Sequence, residues 1–278
     1  MNILLTGASS YVGARLFLDL SKKYAITGTY NDAKLSDKFI HLDITDPEEI
    51  KSVISKKKPD VIIHAAANAN ARWCEANPEK AISLNQKATQ TIVLAANEID
   101  AKVILISSFA AIDPANVYGK TKQASEDFVK KAKKGYIILR PSLIIGFSPN
   151  TVNDRPFNRI LKNLDEKTEP RYDTSWKFQP TYLGHLSEVI STVLDKNITN
   201  QTIPVAVKEL KTRYDIAKDI LQPFGITAIQ EDKQDSSPVT TDNLEKLEEL
   251  NLLQYTYQEI INKIVEEIKH RERYTKID

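Results

Sequence analysis

The strongest constraint on the fold is a regular alternation of short apolar runs and helical segments over the first 140 residues. The pattern predicts strands at 2–5, 25–30, 39–42, 60–64, 103–107 and 136–139, and helices at 11–22, 47–57, 78–97 and 116–133. Such alternation is typical of β-α-β units that build a parallel sheet with helices on its faces. The runs VIIH and VILI are apolar almost throughout, as in strands buried on both faces. We therefore predict an α/β fold with a doubly wound parallel sheet.

The alternation breaks after about residue 146, where a loop rich in Pro, Asn and Ser begins. Beyond it the sequence predicts helices at 154–164, 185–195, 211–221, 242–249 and 257–271, with short strands such as 202–206 between them. The last helix has one apolar face, formed by Ile261, Ile264, Val265 and Ile268, which indicates a docked amphipathic helix. We predict a sheet domain at 1–146, to which 177–195 return, and a smaller α+β lobe mainly at 147–278.

Charge and composition exclude several classes of protein. The 38 basic and 37 acidic side chains give a formal net charge of +1, which argues against a nucleic-acid binder. A single Cys excludes a disulfide framework and multi-cysteine metal sites, and the four His form no metal-binding motif, so we expect no metal. No apolar run approaches the roughly 18 residues of a membrane span. The N-terminus does not resemble a signal peptide, so we expect a cytoplasmic protein without a membrane partner.

The segment Thr6-Gly7-Ala8-Ser9-Ser10-Tyr11-Val12-Gly13 joins the first predicted strand to the first predicted helix. In a Rossmann-type dinucleotide site, the first glycine of such a segment makes a tight turn and the last lets helix and strand pack closely. The pyrophosphate then lies on the amides of the helix N-terminus. Ser10 stands where a middle glycine usually allows close approach of the phosphate. The segment predicts a dinucleotide site, and the alternative is a tight turn in an α/β protein that binds no nucleotide.

The choice between NAD and NADP depends on the end of the second strand. That strand ends at Tyr30-Asn31, and no carboxylate stands at the position that would hold the adenosine ribose and repel a 2′-phosphate. The nearest cation is Lys34. The sequence permits either cofactor, with a slight preference for NADP. After the third strand, Asp43 and Ile44 are placed to contact the adenine, although Asp43 is equally suited to capping the next turn.

Tyr118 and Lys122 are four residues apart in a predicted helix and therefore face the same side. A nearby ammonium lowers the pKa of a phenol, which could then exchange a proton with a carbinol oxygen while a hydride moves at carbon. Ser108, at the end of the fifth strand, would orient that oxygen. The Tyr-x-x-x-Lys spacing is common by chance in a lysine-rich chain. Two other segments favour a catalytic interpretation of this spacing: the phosphate-binding segment before it and Leu-Arg-Pro-Ser at the end of the next strand.

These segments together resemble the extended short-chain dehydrogenase/reductases, and within them the dTDP-4-dehydrorhamnose reductase group. The resemblance covers about residues 1–146 and 177–195. It is carried by TGASSYVG, HLDITD, KPDVIIHAAANANARWCEANPEKAISLN, VILISS, NVYGKTKQASE, LRPSLIIG and QPTYLGHLSEVI. The long segment with Cys-Glu-x-x-Pro resembles that group in particular, as does the Pro-Thr-Tyr segment.

The resemblance implies a role for individual residues of this chain. The catalytic residues would be Ser108, Tyr118 and Lys122. The cofactor-binding residues would be Gly7, Ser10, Tyr11, Val12, Gly13, Asn31, Asp43, Ile44, Ala65, Ala66, Ala67, Asn85, Tyr118, Lys122, Pro141 and Ser142. Substrate contacts would come from Ser108 and, in the second lobe, from Arg155 and Trp176.

The implied function is that of an NAD(P)-dependent oxidoreductase that reduces a nucleotide-linked 4-keto-6-deoxy sugar. Its partner would be the nucleotide sugar, and a homodimer is common in the superfamily. One departure concerns the substrate pocket, because the loop between Ser108 and Tyr118, FAAIDPANV, is shorter than is usual for the extended enzymes. The alternatives are an epimerase or dehydratase of the same superfamily and a non-catalytic regulatory subunit that binds NAD(P).

Overall fold

A computed structural model describes residues 1–166 and 168–277; Lys167 and Asp278, which fall in the predicted small lobe, lie outside the described residues. The strands are β1 (Asn2–Thr6), β2 (Ala25–Tyr30), β3 (Ile40–His41), β4 (Val61–His64), β5 (Lys102–Ile106), β6 (Tyr136–Pro141), β7 (Leu143–Ile145), β8 (Arg171–Asp173), β9 (Lys177–Phe178), β10 (Pro180–Tyr182), β11 (Gln201–Val205), β12 (Lys211–Thr212) and β13 (Ile229–Glu231). The helices are α1 (Tyr11–Leu20), α2 (Pro47–Lys57), α3 (Ala71–Ala76), α4 (Pro78–Ala81), α5 (Ala88–Glu98), α6 (Val117–Val129), α7 (Pro156–Glu166), α8 (Leu183–Asp195), α9 (Arg213–Leu221), α10 (Glu245–Glu249) and α11 (Tyr257–Lys269).

Seven parallel strands form the central sheet in the order β11-β6-β5-β4-β1-β2-β3. The strands β4 and β5 are buried along their whole length, because helices cover both faces of the sheet. The predicted α/β fold is therefore confirmed. The seventh strand, β11, comes from the segment 201–205 that the sequence assigns to the small lobe, and it pairs with β6 from Gln201↔Ile137 to Val205↔Pro141.

Local sequence signals explain where the helices begin and end. The carboxylate of Asp46 accepts hydrogen bonds from the amides of Glu48 and Glu49, and Pro47 occupies the first position of α2. The helix ends at Lys58, which has a left-handed backbone. Asn116 caps α6 in the same way, since its side chain accepts a hydrogen bond from the Gly119 amide. These caps fix the start of the helix that carries Tyr118.

The long helix predicted at 78–97 is divided into three parts. After α4, residues Ile82–Lys87 form a turn of π-helix, and α5 follows it. A π turn is rare and often occurs at functional sites. This one contains Asn85, which is buried. The Ala-rich sequence predicts helix throughout and does not reveal the wider turn.

The small lobe contains short two-stranded pairings, β10 with β7, β12 with β9 and β13 with β8. The C-terminal helix α11 buries Ile261, Ile264, Val265 and Ile268, which confirms the predicted docked amphipathic helix. The helix α8 packs against α1 of the sheet domain. The division into domains at residue 146 stays a prediction. Within the described ranges, no helix is both long enough and apolar enough to cross a bilayer.

Candidate active site

Two glycines set the shape of the turn between β1 and α1. Gly7 has φ of +72°, and a Cβ there would lie 2.7 Å from the Cα atom of Ala66. A Cβ on Gly13 would lie 2.0 Å from the Gly7 carbonyl oxygen. Both positions therefore require glycine, the first for its backbone conformation and the second for the close contact of helix and strand. This is the geometry that the sequence motif predicts.

The N-terminus of α1 retains free hydrogen-bond donors. Ser10 caps the helix, because its hydroxyl accepts a hydrogen bond from the Gly13 amide at 3.0 Å. Within residues 1–166 and 168–277, the amides of Tyr11 and Val12 have no acceptor. Two free amides at the positive end of a ten-residue helix suit a bound phosphate group. The serine in place of the middle glycine thus provides a helix cap and leaves these donors available.

A segment that follows β7 lies against this phosphate-binding turn. The Ser148 hydroxyl donates to the Tyr11 carbonyl at 2.6 Å. The side-chain amide of Asn150 donates to the Ser9 carbonyl, also at 2.6 Å. The Tyr11 phenol donates to the Gly146 carbonyl at 2.5 Å. The side chain of Tyr11 is therefore occupied in the protein interior, and only its backbone amide is available to a cofactor.

The residues after β4 are held in place by Asn85. The side-chain oxygen of Asn85 accepts a hydrogen bond from the Asn68 backbone amide at 2.8 Å, and the side-chain nitrogen of Asn85 donates to the Asn68 backbone carbonyl at 3.0 Å. The three alanines at 65–67 are half-buried and precede this anchor. Asn85 thus fixes the path of the backbone beside the phosphate-binding turn through Asn68.

His64, at the end of β4, contributes to packing. Its ring lies between the hydroxyls of Thr6 at 2.7 Å and Thr89 at 3.0 Å. Burial, with the nearby charge of Lys122, lowers the pKa of His64 to about 3. The imidazole is therefore neutral at physiological pH and links the sheet to α5.

The residues predicted to contact the adenosine part of the cofactor make fewer contacts that indicate a ligand. Asn31 is exposed and donates a hydrogen bond to Asp32 at 3.2 Å. Asp43 accepts hydrogen bonds from the amide and hydroxyl of Thr45, at 2.8 and 2.7 Å, which makes it a turn cap. The Ile44 side chain is buried in the core. Of the two roles that the sequence permits for Asp43, the structure shows the capping role.

Ser108, Tyr118 and Arg155 converge at the carboxyl end of the sheet. Burial raises the pKa of Tyr118, whereas the Ser108 hydroxyl and the positive charge of Arg155 act to lower it. Ser108 also accepts a hydrogen bond from the Ala110 amide at 3.1 Å, which begins a short 3₁₀ turn. Since its pKa is raised, the Tyr118 phenol stays protonated at neutral pH and can act as a proton donor.

Lys122 is buried one turn after Tyr118, and its ammonium donates to the Ile106 carbonyl at 2.6 Å. Burial lowers the pKa of Lys122 to about 8, and the charge of Glu126 opposes this shift. The cation that lowers the pKa of Tyr118 is Arg155 of the small lobe. The role of Lys122 toward Tyr118 stays a prediction, and the Lys122 ammonium is bonded to the end of β5.

Glu126, which no motif in the sequence singles out, lies one further turn along α6 and is 1% exposed. Its carboxylate accepts hydrogen bonds from the Ser107 hydroxyl at 2.5 Å and from two Arg140 nitrogens at 2.9 and 2.6 Å. Through Ser107 and Arg140, Glu126 connects α6 to the end of β5 and the end of β6. The available signal was the i, i+4, i+8 spacing of Tyr118, Lys122 and Glu126, which places a carboxylate on the buried face of the helix.

The short loop between Ser108 and Tyr118 packs tightly on the first turn of α6. A Cβ on Gly119 would lie 2.3 Å from the Ala110 carbonyl oxygen and 3.0 Å from the Pro114 side chain. The loop therefore closes over the helix start only because residue 119 is a glycine.

The remaining predicted residues lie in or beside the small lobe. Pro141 is buried at the end of β6, and the Ser142 amide donates to the Thr181 hydroxyl at 2.9 Å. Trp176 donates to the Pro238 carbonyl at 3.3 Å and has the Arg213 guanidinium 5.2 Å from its ring centre. Trp176 is thus engaged with other residues of the lobe.

Arg155, by contrast, is half-buried, and no carboxylate among residues 1–166 and 168–277 lies within 4.0 Å of it. Its charge acts on the phenols of Tyr118 and Tyr11. Of the two substrate contacts predicted in the lobe, Arg155 is therefore the one that faces the reacting residues.

Comparison with known proteins gives a consistent result. A family model described as the RmlD substrate binding domain matches residues 1–247. The chain is 32% identical to dTDP-4-dehydrorhamnose reductase of Salmonella typhimurium over 158 residues, which is 52% of this chain and 52% of that protein. The chain thus spans about half the length of this relative in the match. It is 24% identical to methionine adenosyltransferase 2 subunit beta of Xenopus tropicalis over 80% of this chain and 72% of that protein.

Among solved structures, dTDP-4-dehydrorhamnose reductase of Bacillus anthracis in complex with NADP superimposes with a TM-score of 0.80. The superposition covers 96% of this chain and 98% of that chain, at 22% sequence identity. The two chains therefore share a fold.

Proposed function

The chain belongs to the RmlD substrate binding domain family, and from that premise we propose that it is an NAD(P)-dependent reductase of a nucleotide-linked 4-keto-6-deoxy sugar. One observation carries the proposal. A protonated phenol, a serine hydroxyl and a half-buried arginine converge at the sheet edge beyond which a helix N-terminus offers free amides. The first group can protonate a ketone oxygen, and the amides can bind the phosphates of a dinucleotide.

The cofactor would be held by the phosphate-binding turn, through the amides of Tyr11 and Val12, and by Lys122 near its ribose. When bound, a reduced nicotinamide supplies the hydride for such a reduction. The cofactor fits because Gly7 and Gly13 leave no side chain between the turn and the helix. The polar end of β2 carries no carboxylate that would exclude a 2′-phosphate, so NADP is the expected form.

Each protein residue would have a separate role at the ketone group of the substrate. The Tyr118 phenol would donate its proton to the ketone oxygen, and the Ser108 hydroxyl would hold that oxygen in place. Arg155, whose charge acts on Tyr118, would contact the substrate. Lys122, bonded to the Ile106 carbonyl, would remain protonated below a pH of about 8. We also propose that residues 147–278 contribute mainly to substrate binding.

The test is a turnover assay with NADPH and dTDP-4-dehydrorhamnose, in which both substrates and the reduced sugar are quantified. We expect one NADPH to be consumed for each sugar reduced. The variant Tyr118→Phe should lose about 10²- to 10⁴-fold in kcat, because the proton donor is missing. Its dissociation constant for NADPH, measured by fluorescence, should change little.

Two outcomes would overturn the proposal in favour of the alternatives. Sugar conversion with catalytic amounts of cofactor and no net NADPH consumption would identify an epimerase or dehydratase. NADPH binding with no turnover of any nucleotide sugar, in wild type and variant alike, would indicate a regulatory subunit. The match to methionine adenosyltransferase 2 subunit beta makes this last outcome worth testing directly.

A further inference from the structure

Two oppositely charged side chains are buried between α1 and α11. Arg15 on α1 is 4% exposed and Glu267 on α11 is 3% exposed, and they form an ion pair at 2.6 Å. They are separated by 252 residues in the chain. A buried ion pair stabilises a fold only when its remaining hydrogen-bonding groups are also satisfied, so its other partners indicate what it holds.

Those partners converge on the backbone of one residue. Arg15 donates to the Phe147 carbonyl at 2.7 Å, and Glu267 accepts a hydrogen bond from the Phe147 amide at 2.9 Å. Glu267 also accepts from the Tyr182 phenol at 2.5 Å, and Arg15 donates to Asp19 at 2.6 Å. Both backbone polar groups of Phe147 are therefore fixed by the ion pair.

Phe147 begins the segment that lies on the phosphate-binding turn. The next residue, Ser148, donates to the Tyr11 carbonyl, and Asn150 donates to the Ser9 carbonyl. These two carbonyls belong to the turn whose neighbouring amides, on Tyr11 and Val12, are free. A continuous series of short hydrogen bonds thus connects the C-terminal helix to the proposed pyrophosphate site.

We infer that Arg15 and Glu267 are positioning residues for the dinucleotide. They hold residues 146–150 against the phosphate-binding turn, and this fixes the direction of the free amides. The C-terminal helix, which contributes no residue to the predicted site, thereby sets the affinity for the cofactor. The inference rests on the proposed function in one respect, since it takes the ligand of the turn to be a nicotinamide dinucleotide.

The first test compares two neighbouring glutamates on α11. Glu267→Gln removes the buried charge, whereas Glu266→Gln removes an exposed charge that pairs with Lys269. The dissociation constant for NADPH is measured by fluorescence, and the melting temperature by calorimetry. We expect Glu267→Gln to weaken NADPH binding about tenfold, the size of effect typical of residues that couple to a site through their neighbours. Glu266→Gln should leave the dissociation constant unchanged.

A second variant separates positioning from a loss of stability. In Arg15→Met/Glu267→Leu the buried pair is replaced by apolar side chains, which often restores stability. The Phe147 backbone still loses both partners, so NADPH binding should stay about tenfold weaker, although the melting temperature should exceed that of Glu267→Gln, which leaves Arg15 buried without Glu267. Hydrogen exchange of the Phe147 amide in the ligand-free protein should be faster in both Glu267 variants than in wild type.

The results that would overturn the inference are distinct from those that would overturn the proposed function. Wild-type NADPH affinity in Glu267→Gln, or recovery of affinity together with melting temperature in the double variant, would contradict the positioning role. A wild-type protein that binds neither NADPH nor NADH would contradict the proposed function, and with it the ligand assumed here. In that case the exchange of the Phe147 amide would still show whether the pair holds the segment.

Discussion

The sheet domain and the small lobe offer different kinds of group to a ligand. In the sheet domain the free groups are backbone amides, those of Tyr11 and Val12, placed by glycines at fixed positions. In the small lobe one such group is a side chain, the guanidinium of Arg155, which has no carboxylate within 4.0 Å in the described ranges 1–166 and 168–277. Backbone recognition depends on local conformation, whereas side-chain recognition depends on how distant segments pack. The proposed cofactor side of the site thus depends on local structure, and the proposed substrate side depends on the tertiary fold.

The variant Gly13→Ala should have the largest effect, because it changes the phosphate-binding turn between β1 and α1. The added Cβ would lie 2.0 Å from the Gly7 carbonyl oxygen, so α1 and β1 must separate. We expect a loss of about 3 kcal/mol in the free energy of unfolding, measured with denaturant, and loss of NADPH binding. The control, Ser21→Ala, lies at the exposed end of the same helix and should change neither quantity. Normal stability in Gly13→Ala would contradict the close contact of helix and strand.

Glu126→Gln should have the next largest effect, through the groups that connect α6 to the ends of β5 and β6. Glu126 opposes the burial that lowers the pKa of Lys122, so its removal should lower that pKa below about 8. His64, whose pKa the charge of Lys122 helps to lower to about 3, is neutral in this pH range. We expect kcat/KM to fall about tenfold and its alkaline limb, near pH 8 in wild type, to move to lower pH.

The matched control for Glu126 is Asp127→Asn, an exposed neighbour on the same helix that pairs with Lys130. It should leave both kcat/KM and the pH profile unchanged. If Glu126→Gln lowered activity without moving the alkaline limb, its role would be confined to holding the strand ends together. The comparison of the two variants thus tests the link between Glu126 and Lys122.

Arg155→Gln should have the smallest effect, and it should change sugar binding without changing cofactor binding. The loss of its charge should raise KM for the nucleotide sugar about fivefold and leave the dissociation constant for NADPH unchanged. The control is Arg171→Gln, an exposed arginine of the same lobe that pairs with Glu169. Equal weakening of sugar and NADPH binding in Arg155→Gln would show that the two sides of the site are not separable.

The sequence predicts the sheet domain well because its signals are local. Gly7 and Gly13 act within one turn, and the caps Asp46 and Asn116 lie beside the helices that they begin. The π turn at Ile82–Lys87 was missed because the same residues suit an α-helix. It is tertiary contact, through Asn85 and Asn68, that accompanies the wider turn.

The rest of the site depends on pairs that no local pattern reveals. The Lys122 ammonium lies at the Ile106 carbonyl, and Arg155 acts on Tyr118. The Arg15–Glu267 pair joins residues 252 positions apart. Such contacts become visible only when the chain is folded, since a charged residue on an amphipathic helix is usually solvated. The candidate catalytic residues were therefore predictable, and the groups that position them were not.

The place of β11 in the sheet has a consequence for biosynthesis. Until Gln201–Val205 have emerged from the ribosome, β6 has no partner on its outer side, and its backbone donors and acceptors remain open. A nascent chain that ends within the small lobe thus carries an exposed strand edge of the kind that aggregates. Cutting the gene after residue 146 would create the same edge permanently. Attempts to express the sheet domain alone should therefore retain 183–205, because β11 runs parallel to β6 and a crossover such as α8 is needed to bring it to that position.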